Sequence, residues 1–486
     1  KRTNERMSSS DNSETCCCSA PGKVLITGGY LVLDREYDGT VFTINSRFYT
    51  TIKPIHAAPT QSFNITLSSP QFNSIQHYTV VYNVQQQQDV PTIVISPADP
   101  NTYRENKYVE RTLLYTLIVA SSLVGPEQFT TILSRGLYIT ILGGNDFYSQ
   151  IPQLNQRGLP ITFESLKSLP QFLPLTTTLD DLQKTGLGSS AALVSSLTAA
   201  LLSHLKAATL NRDKTLLHNL AQLCHCVAQG KIGSGFDISS AVFGSQVYRR
   251  FSPSLIQDIL AMLLQALLQE DFNSIKLDHY QPWDNQHTPM ALPPGLHLLL
   301  ADVSIGSNTP VMVKKVLDWR KAFPVESKQL WDDLHASNSA VKVSLTQLHS
   351  LHAQQSDKYM EVISKLESTP QAQWSELGGD VAKEVSNIRS SFYNIRTLMR
   401  KMGQLADVPL EPTEQTNLAN DTMDIVGCVA SGVPGAGGFD ALFAIVLGDA
   451  SSKAVRQCWM NWKQCQVLPL VLSEEPVGVI LDTLPN

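Results

Sequence analysis

The stretch Lys184-Thr-Gly-Leu-Gly-Ser-Ser-Ala-Ala192 decides the fold of this 486-residue chain. Its two glycines permit close approach of the backbone to a ligand, and serines are common at helix N-termini. Bare N–H groups and the positive dipole end of a helix bind phosphate. Leucines then recur every four residues on one helix face, at Leu193, Leu197, Leu201 and Leu205. The stretch therefore predicts a phosphate-binding loop that leads into a helix over 189–205.

Other interpretations of this stretch exist. Gly186-Leu-Gly-Ser-Ser-Ala191 also matches G-x-G-x-x-A, the dinucleotide fingerprint. That fingerprint requires a buried strand directly before it, whereas Thr176–Gln183 is polar. No Lys-Ser/Thr pair follows the glycines, which excludes a Walker P-loop. An ordinary capped helix and a phosphate loop of a third type remain, and the second fits best.

Three further motifs are candidates for chemistry. Lys231-Ile-Gly-Ser-Gly-Phe-Asp237 is glycine-rich and opens a helix, but it carries a carboxylate that either caps the helix or acts beside a phosphate. Ser431–Asp440 contains four glycines before a strand, which suggests a ligand contact or a mobile loop. Ser19-Ala-Pro-Gly-Lys23 places a lysine on the first strand, although most surface lysines are only solvated.

Composition excludes several classes of protein. The chain has 37 Lys+Arg against 43 Asp+Glu, a net charge of −6, and no long basic run, which argues against a nucleic-acid partner. No apolar run approaches the roughly 18–20 residues of a membrane span, and residues 1–15 lack the apolar core of a secretory signal. The eight cysteines include no C-x-x-C pair. We expect a reduced, cytoplasmic protein, with a peroxisomal location left open.

The sequence predicts a mixed α/β chain in two lobes. We expect a disordered tail over residues 1–18, an N-terminal domain over 19–290 and a C-terminal domain over 291–486. Predicted helices cover 107–123, 189–205, 213–229, 255–270, 310–320, 326–350, 357–366 and 382–402. Predicted strands include 23–32, broken by Gly28-Gly29, 41–55, 137–142, 245–251 and 295–303, and a closing pair at 441–447 and 466–471. Residues 149–181 read as a long irregular loop.

Taken together, the motifs resemble the GHMP kinases in order and wording. The stretches that carry the resemblance are SAPGKVLITGGYLVLD (19–34), KTGLGSSAALVSSL (184–197), AQGKIGSGFDISSAVFGSQVYRRF (228–251), SIGSNTPVMVKKVLDWR (304–320) and SGVPGAGGFDALFAIV (431–446). Within the family the similarity is greatest to the fungal and plant branch that uses ATP to phosphorylate 5-phosphomevalonate to 5-diphosphomevalonate, a step in isoprenoid and sterol biosynthesis. Coverage is poorer over residues 51–105 and 321–410.

The resemblance implies an N-terminal domain like a ribosomal-protein fold, a C-terminal α/β sandwich, and an active site in the cleft between them. It implies ATP and Mg²⁺ as cofactors and Lys23 and Asp237 as the catalytic pair. The implied ATP-binding residues are Lys184, Thr185, Gly186, Leu187, Gly188, Ser189, Ser190 and Ala191, with Ser190 as the magnesium ligand. The implied acceptor-side residues are Lys231, Ser304, Gly306, Ser307, Thr309, Gly435, Ala436, Gly437 and Gly438.

An acceptor that is itself a phosphate is largely a dianion at neutral pH, because its second pKa is about 6. We therefore expect cations, rather than a strong general base, to be the main requirement, with Asp237 holding Lys23 or the acceptor in place. The same Asp could act as a base toward a hydroxyl acceptor. The alternatives are the family members that phosphorylate mevalonate or decarboxylate diphosphomevalonate, a non-catalytic sensor of the same fold, and an NAD-dependent oxidoreductase.

Overall fold

The computed structural model describes residues 14–83, 92–175, 182–257, 259, 283–303 and 309–483. The strands of this part of the chain are β1 (Cys16–Thr27), β2 (Asp38–Pro54), β3 (Phe63–Ser69), β4 (Ser74–Asn83), β5 (Thr92–Pro97), β6 (Leu137–Gly143), β7 (Gln246–Arg249), β8 (Gln286–Pro289), β9 (Leu296–Asp302), β10 (Cys428–Gly432), β11 (Ala441–Leu447), β12 (Leu468–Pro469) and β13 (Ile480–Leu481).

The helices of the described residues are α1 (Lys107–Val124), α2 (Pro126–Leu133), α3 (Ile151–Gln156), α4 (Phe163–Lys167), α5 (Ser189–His204), α6 (Lys214–Gln229), α7 (Phe236–Phe243), α8 (Thr309–Ala322), α9 (Pro324–Gln354), α10 (Ser356–Ser368), α11 (Trp374–Leu377), α12 (Gly379–Ala406), α13 (Thr413–Asp424) and α14 (Gly448–Met460). None of them is long and apolar enough to cross a membrane. Short 3₁₀ turns occur at Leu31–Leu33, Pro70–Phe72, Asn145–Phe147 and Gln371–Gln373.

Strand β2 organises the larger of two sheets. One edge of its 17 residues pairs with β1, and the other pairs with β7 near residues 38–41 and with β6 near residues 48–54. The order is β13-β1-β2-β6-β3-β4-β5, with β8 added next to β7. Only the β3–β6 pair is parallel within the described residues. The dinucleotide hypothesis is therefore wrong, because that site requires a mostly parallel sheet.

Helix α5 carries the phosphate-binding loop and lies against the larger sheet. It packs on β1 and β2 and is flanked by α1 and α6. Leu197 and Leu201 on this helix are fully buried, as the leucine spacing predicts. This packing holds the N-terminal end of α5, and with it the glycine loop, in a fixed position relative to β1 and β2.

The second half of the chain forms a smaller sheet and a helical layer. Its order is β10-β11-β9-β12, and the long helices α9 and α12 pack on each other, with α12 also against β10. The fold class of mixed α/β is confirmed. The domain boundary near residue 290 stays a prediction, and β13, late in the chain, pairs with β1 in the larger sheet.

Several expectations need correction. The predicted tail is too long, because Cys16–Cys18 pair with β2 and Cys17 and Cys18 are buried. Only one strand covers residues 23–27, and a 3₁₀ turn follows Tyr30. β12 pairs with β9 instead of β11, and the loop over 149–181 contains α3 and α4. The helix predicted over 255–270 falls largely outside the described residues.

Candidate active site

The loop before α5 is shaped by two glycines in the left-handed backbone region. Gly186 has φ 77° and Gly188 has φ 78°, a conformation that is unfavourable for residues with a Cβ. A Cβ on Gly188 would also lie only 2.9 Å from Lys23 Cε. Because Gly188 is the N-cap of α5 and has no side chain, the N–H groups of the first turn, at Ser189–Ala191, remain available to a phosphate.

Residues 184 and 185 anchor this loop to the turn at Asn145–Phe147. The backbone of Lys184 forms a bridge with Tyr148. The Thr185 amide donates to Phe147 O at 3.2 Å, and its hydroxyl donates to Asp146 O. The Lys184 side chain is exposed and does not line the cleft described below. Lys184 and Thr185 thus support the loop through their backbone and hydroxyl groups.

Lys23 crosses from β1 onto the glycine loop. Its amide donates to Leu187 O at 2.9 Å, and its Nζ donates to Gly186 O at 3.0 Å. The Nζ also lies 5.3 Å from the centre of the Phe236 ring. Burial lowers the pKa of Lys23, and the negative charge of Asp237 opposes this shift. The ammonium group is therefore held at the glycine loop beside a carboxylate.

Asp237 lies in the first turn of α7. The turn depends on Gly235, whose φ is 84° and whose absent Cβ would lie 2.6 Å from the Phe251 ring. Asp237 Oδ1 accepts a hydrogen bond from the Ile238 amide at 3.0 Å. Its Oδ2 lies 4.0 Å from His225 Nε2. The carboxylate is accordingly fixed at the helix end, in an orientation that favours negative charge.

A buried histidine on α6 lies close to the first turns of both α5 and α7. His225 on α6 is 3% exposed, and its Nε2 lies 3.0 Å from Ser190 Oγ and 3.0 Å from Gln229 Nε2. Burial lowers the pKa of His225, with the charge of Asp237 opposing the shift. Sequence reasoning did not single out this residue. The available signal was the recurrence of polar residues on the face of α6 opposite its leucines, at His218, Gln222, His225 and Gln229.

The glycine-rich loop Gly435–Gly438 reaches from the smaller sheet to β1. The Gly435 amide donates to Leu25 O at 3.1 Å, and the Tyr30 hydroxyl donates to Ala436 O at 2.7 Å. At its other end, the Gly438 amide donates to Leu410 O at 2.8 Å. A Cβ on Gly437 would lie 2.1 Å from that same oxygen. The loop therefore contacts both halves of the chain and tolerates no side chain at residue 437.

A buried ion-pair cluster supports the segment on which this loop rests. Glu411, next to Leu410, accepts from Arg396 Nη2 and from Arg400 Nη1, both at 2.8 Å. Arg396 and Glu411 are almost inaccessible to solvent. This cluster fixes the position of Leu410 O.

These features surround one cleft of about 1070 Å³. The predicted site residues that line it are Lys23, Thr185, Gly186, Leu187, Lys231, Asp237, Thr309, Gly435, Ala436 and Gly437. The predicted residues that do not line it are Lys184, Gly188, Ser189, Ser190, Ala191 and Gly438. Ser304, Gly306 and Ser307 lie outside the described residues.

The chain resembles phosphomevalonate kinases along nearly its whole length. It is 37% identical to the peroxisomal phosphomevalonate kinase of Arabidopsis thaliana, over 96% of this chain and 95% of the relative. It is 33% identical to the phosphomevalonate kinase erg8 of Aspergillus fumigatus, over 88% of this chain and 86% of the relative. The chain belongs to the phosphomevalonate kinase family.

Two further comparisons concern the N-terminal domain and the fold. The model of the GHMP kinases N terminal domain matches residues 153–245, which include the loop before α5 and Asp237. The fold is similar to that of Streptococcus pneumoniae phosphomevalonate kinase, solved with phosphomevalonate and AMPPNP, with a TM-score of 0.53 and 15% identity over 94% of this chain and 99% of that one. At that identity the likeness concerns the fold alone.

The cleft of this phosphomevalonate kinase family member is rich in positive charge. Six basic side chains line it, against the three carboxylates Asp237, Asp318 and Asp440. The basic residues are Lys23, Lys231, Arg250, Lys314, Arg320 and Lys321. Arg320 pairs with Asp34, and Lys314 pairs with Asp318 at 2.8 Å. The excess of cations suits a site for two anionic ligands.

Oxygen ligands for a magnesium ion are present beside the glycine loop. Ser190 Oγ and the Asp237 carboxylate approach the same atom, His225 Nε2, at 3.0 and 4.0 Å. Mg²⁺ is usually bound by one or two carboxylates together with substrate phosphates and water. The described part of the chain contains no group of three His, Cys, Asp or Glu side chains that could hold a metal ion by itself. The residues thus fit a magnesium ion that arrives with a nucleotide.

Proposed function

We propose that this chain transfers the γ-phosphoryl group of ATP to the phosphate of 5-phosphomevalonate, giving 5-diphosphomevalonate and ADP. The names of its plant and fungal relatives support this reaction. One observation carries the proposal: Lys23, the glycine loop at Gly186 and Asp237 meet in one cleft with an excess of basic residues. An acceptor with a phosphate and a carboxylate requires such an environment.

Charge neutralisation is the main task that this reaction sets. Donor and acceptor are both anions, and phosphoryl transfer is catalysed mostly by positioning and by electrostatic stabilisation. Lys23 is suited to this task, because its Nζ is held on Gly186 O at the loop proposed to bind the ATP phosphates. We propose that the ammonium lies between the two phosphates and gains most in the transition state, when they are closest.

Asp237 is proposed to position Lys23. Burial lowers the pKa of Lys23, and the negative charge of Asp237 opposes that shift and so favours the charged form of the lysine. The acceptor phosphate needs no base, since its second pKa is about 6. The role of Asp237 is accordingly electrostatic and does not include proton abstraction.

The N-terminal end of α5, residues 184–191, is proposed to bind the ATP phosphates. Mg²⁺ would be held by Ser190 and Asp237 together with those phosphates, and when bound it neutralises charge on the transferred group. The acceptor side would be formed by Lys231, Thr309 and the Gly435–Gly438 loop, with Ser304, Gly306 and Ser307 as further proposed contacts. Arg250 is a further candidate, because it lines the cleft and donates to Leu33 O and Gly233 O.

A coupled assay of ADP release tests this proposal. With ATP and Mg²⁺, the enzyme should turn over phosphomevalonate and be far slower with mevalonate or galactose, since a site built for phosphate leaves its cations unpaired with a bare hydroxyl. Lys23→Met is the matched negative control for a contaminating kinase. Efficient turnover of mevalonate, or release of CO₂ from diphosphomevalonate, would instead identify a related activity. Absence of any turnover would favour a non-catalytic sensor.

The proposed location is the cytoplasm. The pattern of the eight cysteines gave this expectation, and the name of the Arabidopsis relative instead specifies the peroxisome. Imaging of the tagged full-length chain, with the tag at either end, separates the two locations.

A further inference from the structure

We propose that His225 is a positioning residue that orients the hydroxyl group of Ser190 toward the nucleotide and its metal ion. The proposal rests on the function proposed above for Ser190. His225 lines the cleft, and the role proposed for it acts through Ser190. What His225 supplies is a fixed hydrogen-bond acceptor beneath the phosphate-binding loop.

The contacts of His225 define its role. Its Nε2 is 3.0 Å from Ser190 Oγ and 3.0 Å from Gln229 Nε2. An amide N–H can only donate, so with Gln229 oriented as in the structure His225 Nε2 is an acceptor. The Ser190 hydroxyl then donates to the same Nε2, whose single lone pair is shared by the two donors. The contact with His225 uses the Ser190 proton and therefore leaves both lone pairs of its Oγ outside this contact.

The surroundings of the histidine restrict its movement. His225 is 3% exposed, and the Tyr108 ring lies 5.7 Å from its imidazole, centre to centre. The residue belongs to α6, whose C-terminal end is closed by Gly230 in the left-handed conformation. Burial and these contacts restrict rotation of the ring, and the packing of α6 against α5 holds its Nε2 near the loop.

His225 Nε2 is close to both proposed protein ligands of the metal ion, Ser190 and Asp237. Asp237 Oδ2 is 4.0 Å from His225 Nε2, on the side of the ring that also faces Ser190. If the serine hydroxyl could rotate freely, its proton would point toward the metal ion in a fraction of the molecules, and this orientation opposes metal binding. A hydrogen bond from that proton to His225 disfavours this orientation without adding charge to the site. We therefore expect His225 to affect the Mg²⁺-dependent part of ATP binding, and to act through Ser190.

The experiment measures binding of a fluorescent ATP analogue with Mg²⁺ and with EDTA. His225→Leu removes the acceptor and should weaken the Mg²⁺-dependent affinity about 3- to 10-fold, the usual range for one lost hydrogen bond. The affinity in EDTA should change less than about 2-fold. His218→Leu is the matched control, because His218 lies on the same helix, is 2% exposed and bonds to Asn219 instead of the loop.

Two amide variants keep the test decisive if the leucine variant does not fold. His225→Gln extends an amide to about the position of Nε2 and should retain most of the affinity. His225→Asn ends near the position of Nδ1, beyond reach of Ser190, and should lose it. Equal affinities of the two amide variants would overturn the proposal.

A double-mutant cycle tests whether the effect passes through Ser190. In a Ser190→Ala background, His225→Asn should cause little further loss of Mg²⁺-dependent affinity, since coupled residues are non-additive. Additive losses would refute a role through the hydroxyl group, and an equal loss in EDTA would indicate a purely structural role. These binding measurements need no acceptor substrate. A wild-type enzyme that binds Mg²⁺–ATP but does not turn over phosphomevalonate would contradict the proposed function and leave this inference intact.

Discussion

Gly188→Ala tests whether the glycine loop positions Lys23. Two costs follow from the geometry. The residue has φ 78°, where a side chain costs about 1–2 kcal/mol of folding free energy. The new Cβ would also lie 2.9 Å from Lys23 Cε and 3.1 Å from its Cγ, whereas carbon atoms normally pack at about 3.5–4.0 Å. The lysine stem must therefore move by roughly 0.5–1 Å, and the bond from its Nζ to Gly186 O is disturbed.

A displacement of about 1 Å can lower the rate up to 100-fold. We accordingly expect Gly188→Ala to reduce kcat about 10- to 100-fold, which raises the activation barrier by about 1.4–2.7 kcal/mol. The assay is ADP release at saturating ATP and phosphomevalonate, paired with urea unfolding. Gly158→Ala is the matched control for backbone strain. Gly158 has φ 64° with no atom within 4 Å of its Cβ position, and it does not line the cleft.

The control should lose a similar amount of stability and keep its kcat. In a Lys23→Met background, Gly188→Ala should have little further effect on kcat, because the displaced ammonium is already absent. A Gly188→Ala enzyme with the stability loss of Gly158→Ala and a kcat within 2-fold of wild type would refute the reasoning.

Three more predictions follow from single features of the structure. Lys23→Met should lower kcat far more than ATP affinity, and adding Asp237→Asn should change kcat little further; a double-mutant cycle in kcat with full additivity would contradict the positioning role of Asp237. Burial raises the pKa of Asp146 to about 6, compared with an ordinary value of about 3.9. The protonated carboxyl group is therefore fully stabilising below pH 4, and this contribution to the free energy of unfolding is lost as the pH rises through 6. Asp146→Asn should then stabilise by up to about 3 kcal/mol at pH 7.5 in urea unfolding and have little effect at pH 4; an equal effect at both values would disprove this. Glu411→Gln removes the charge that pairs two arginines and should cost about 3 kcal/mol, and a loss under 1 kcal/mol would show that the cluster matters little.

Local sequence patterns predicted the local elements well. The periodic leucines and the glycine after residue 229 predicted α6, which ends with Gly230 in the left-handed conformation. The apolar run at 441–447 became β11 with the same bounds. Both elements depend on residues that are close together in the sequence, so a local pattern is enough to predict them.

Long-range pairings explain the errors. The polar start of the chain concealed that Cys16–Cys18 pair with residues 50–52, and nothing near Leu468 indicated that its partner is Asp302. The candidate site was likewise predicted where its residues lie in local motifs and missed where they depend on distant partners. The motifs supplied Lys23, Gly186 and Asp237, because each lies in a recognisable stretch. His225 was missed because its partner Ser190 is 35 positions away and its own helix reads as an ordinary amphipathic helix.

The pairing of β13 with β1 has a consequence for synthesis of the chain. Arg47 is buried with its Nη2 on Gly478 O at 2.6 Å, across 431 positions of sequence. At the usual 5–20 residues per second, a ribosome needs about 20–90 s to add that length. Throughout this time the outer edge of β1 lacks β13, and the guanidinium of Arg47 has its bonds to Ser19 but lacks those to Glu475, Val477 and Gly478. Open strand edges favour aggregation. We therefore expect the nascent larger sheet to depend on chaperones until the last stretch emerges, and a chain that stops before residue 474 to accumulate as aggregate.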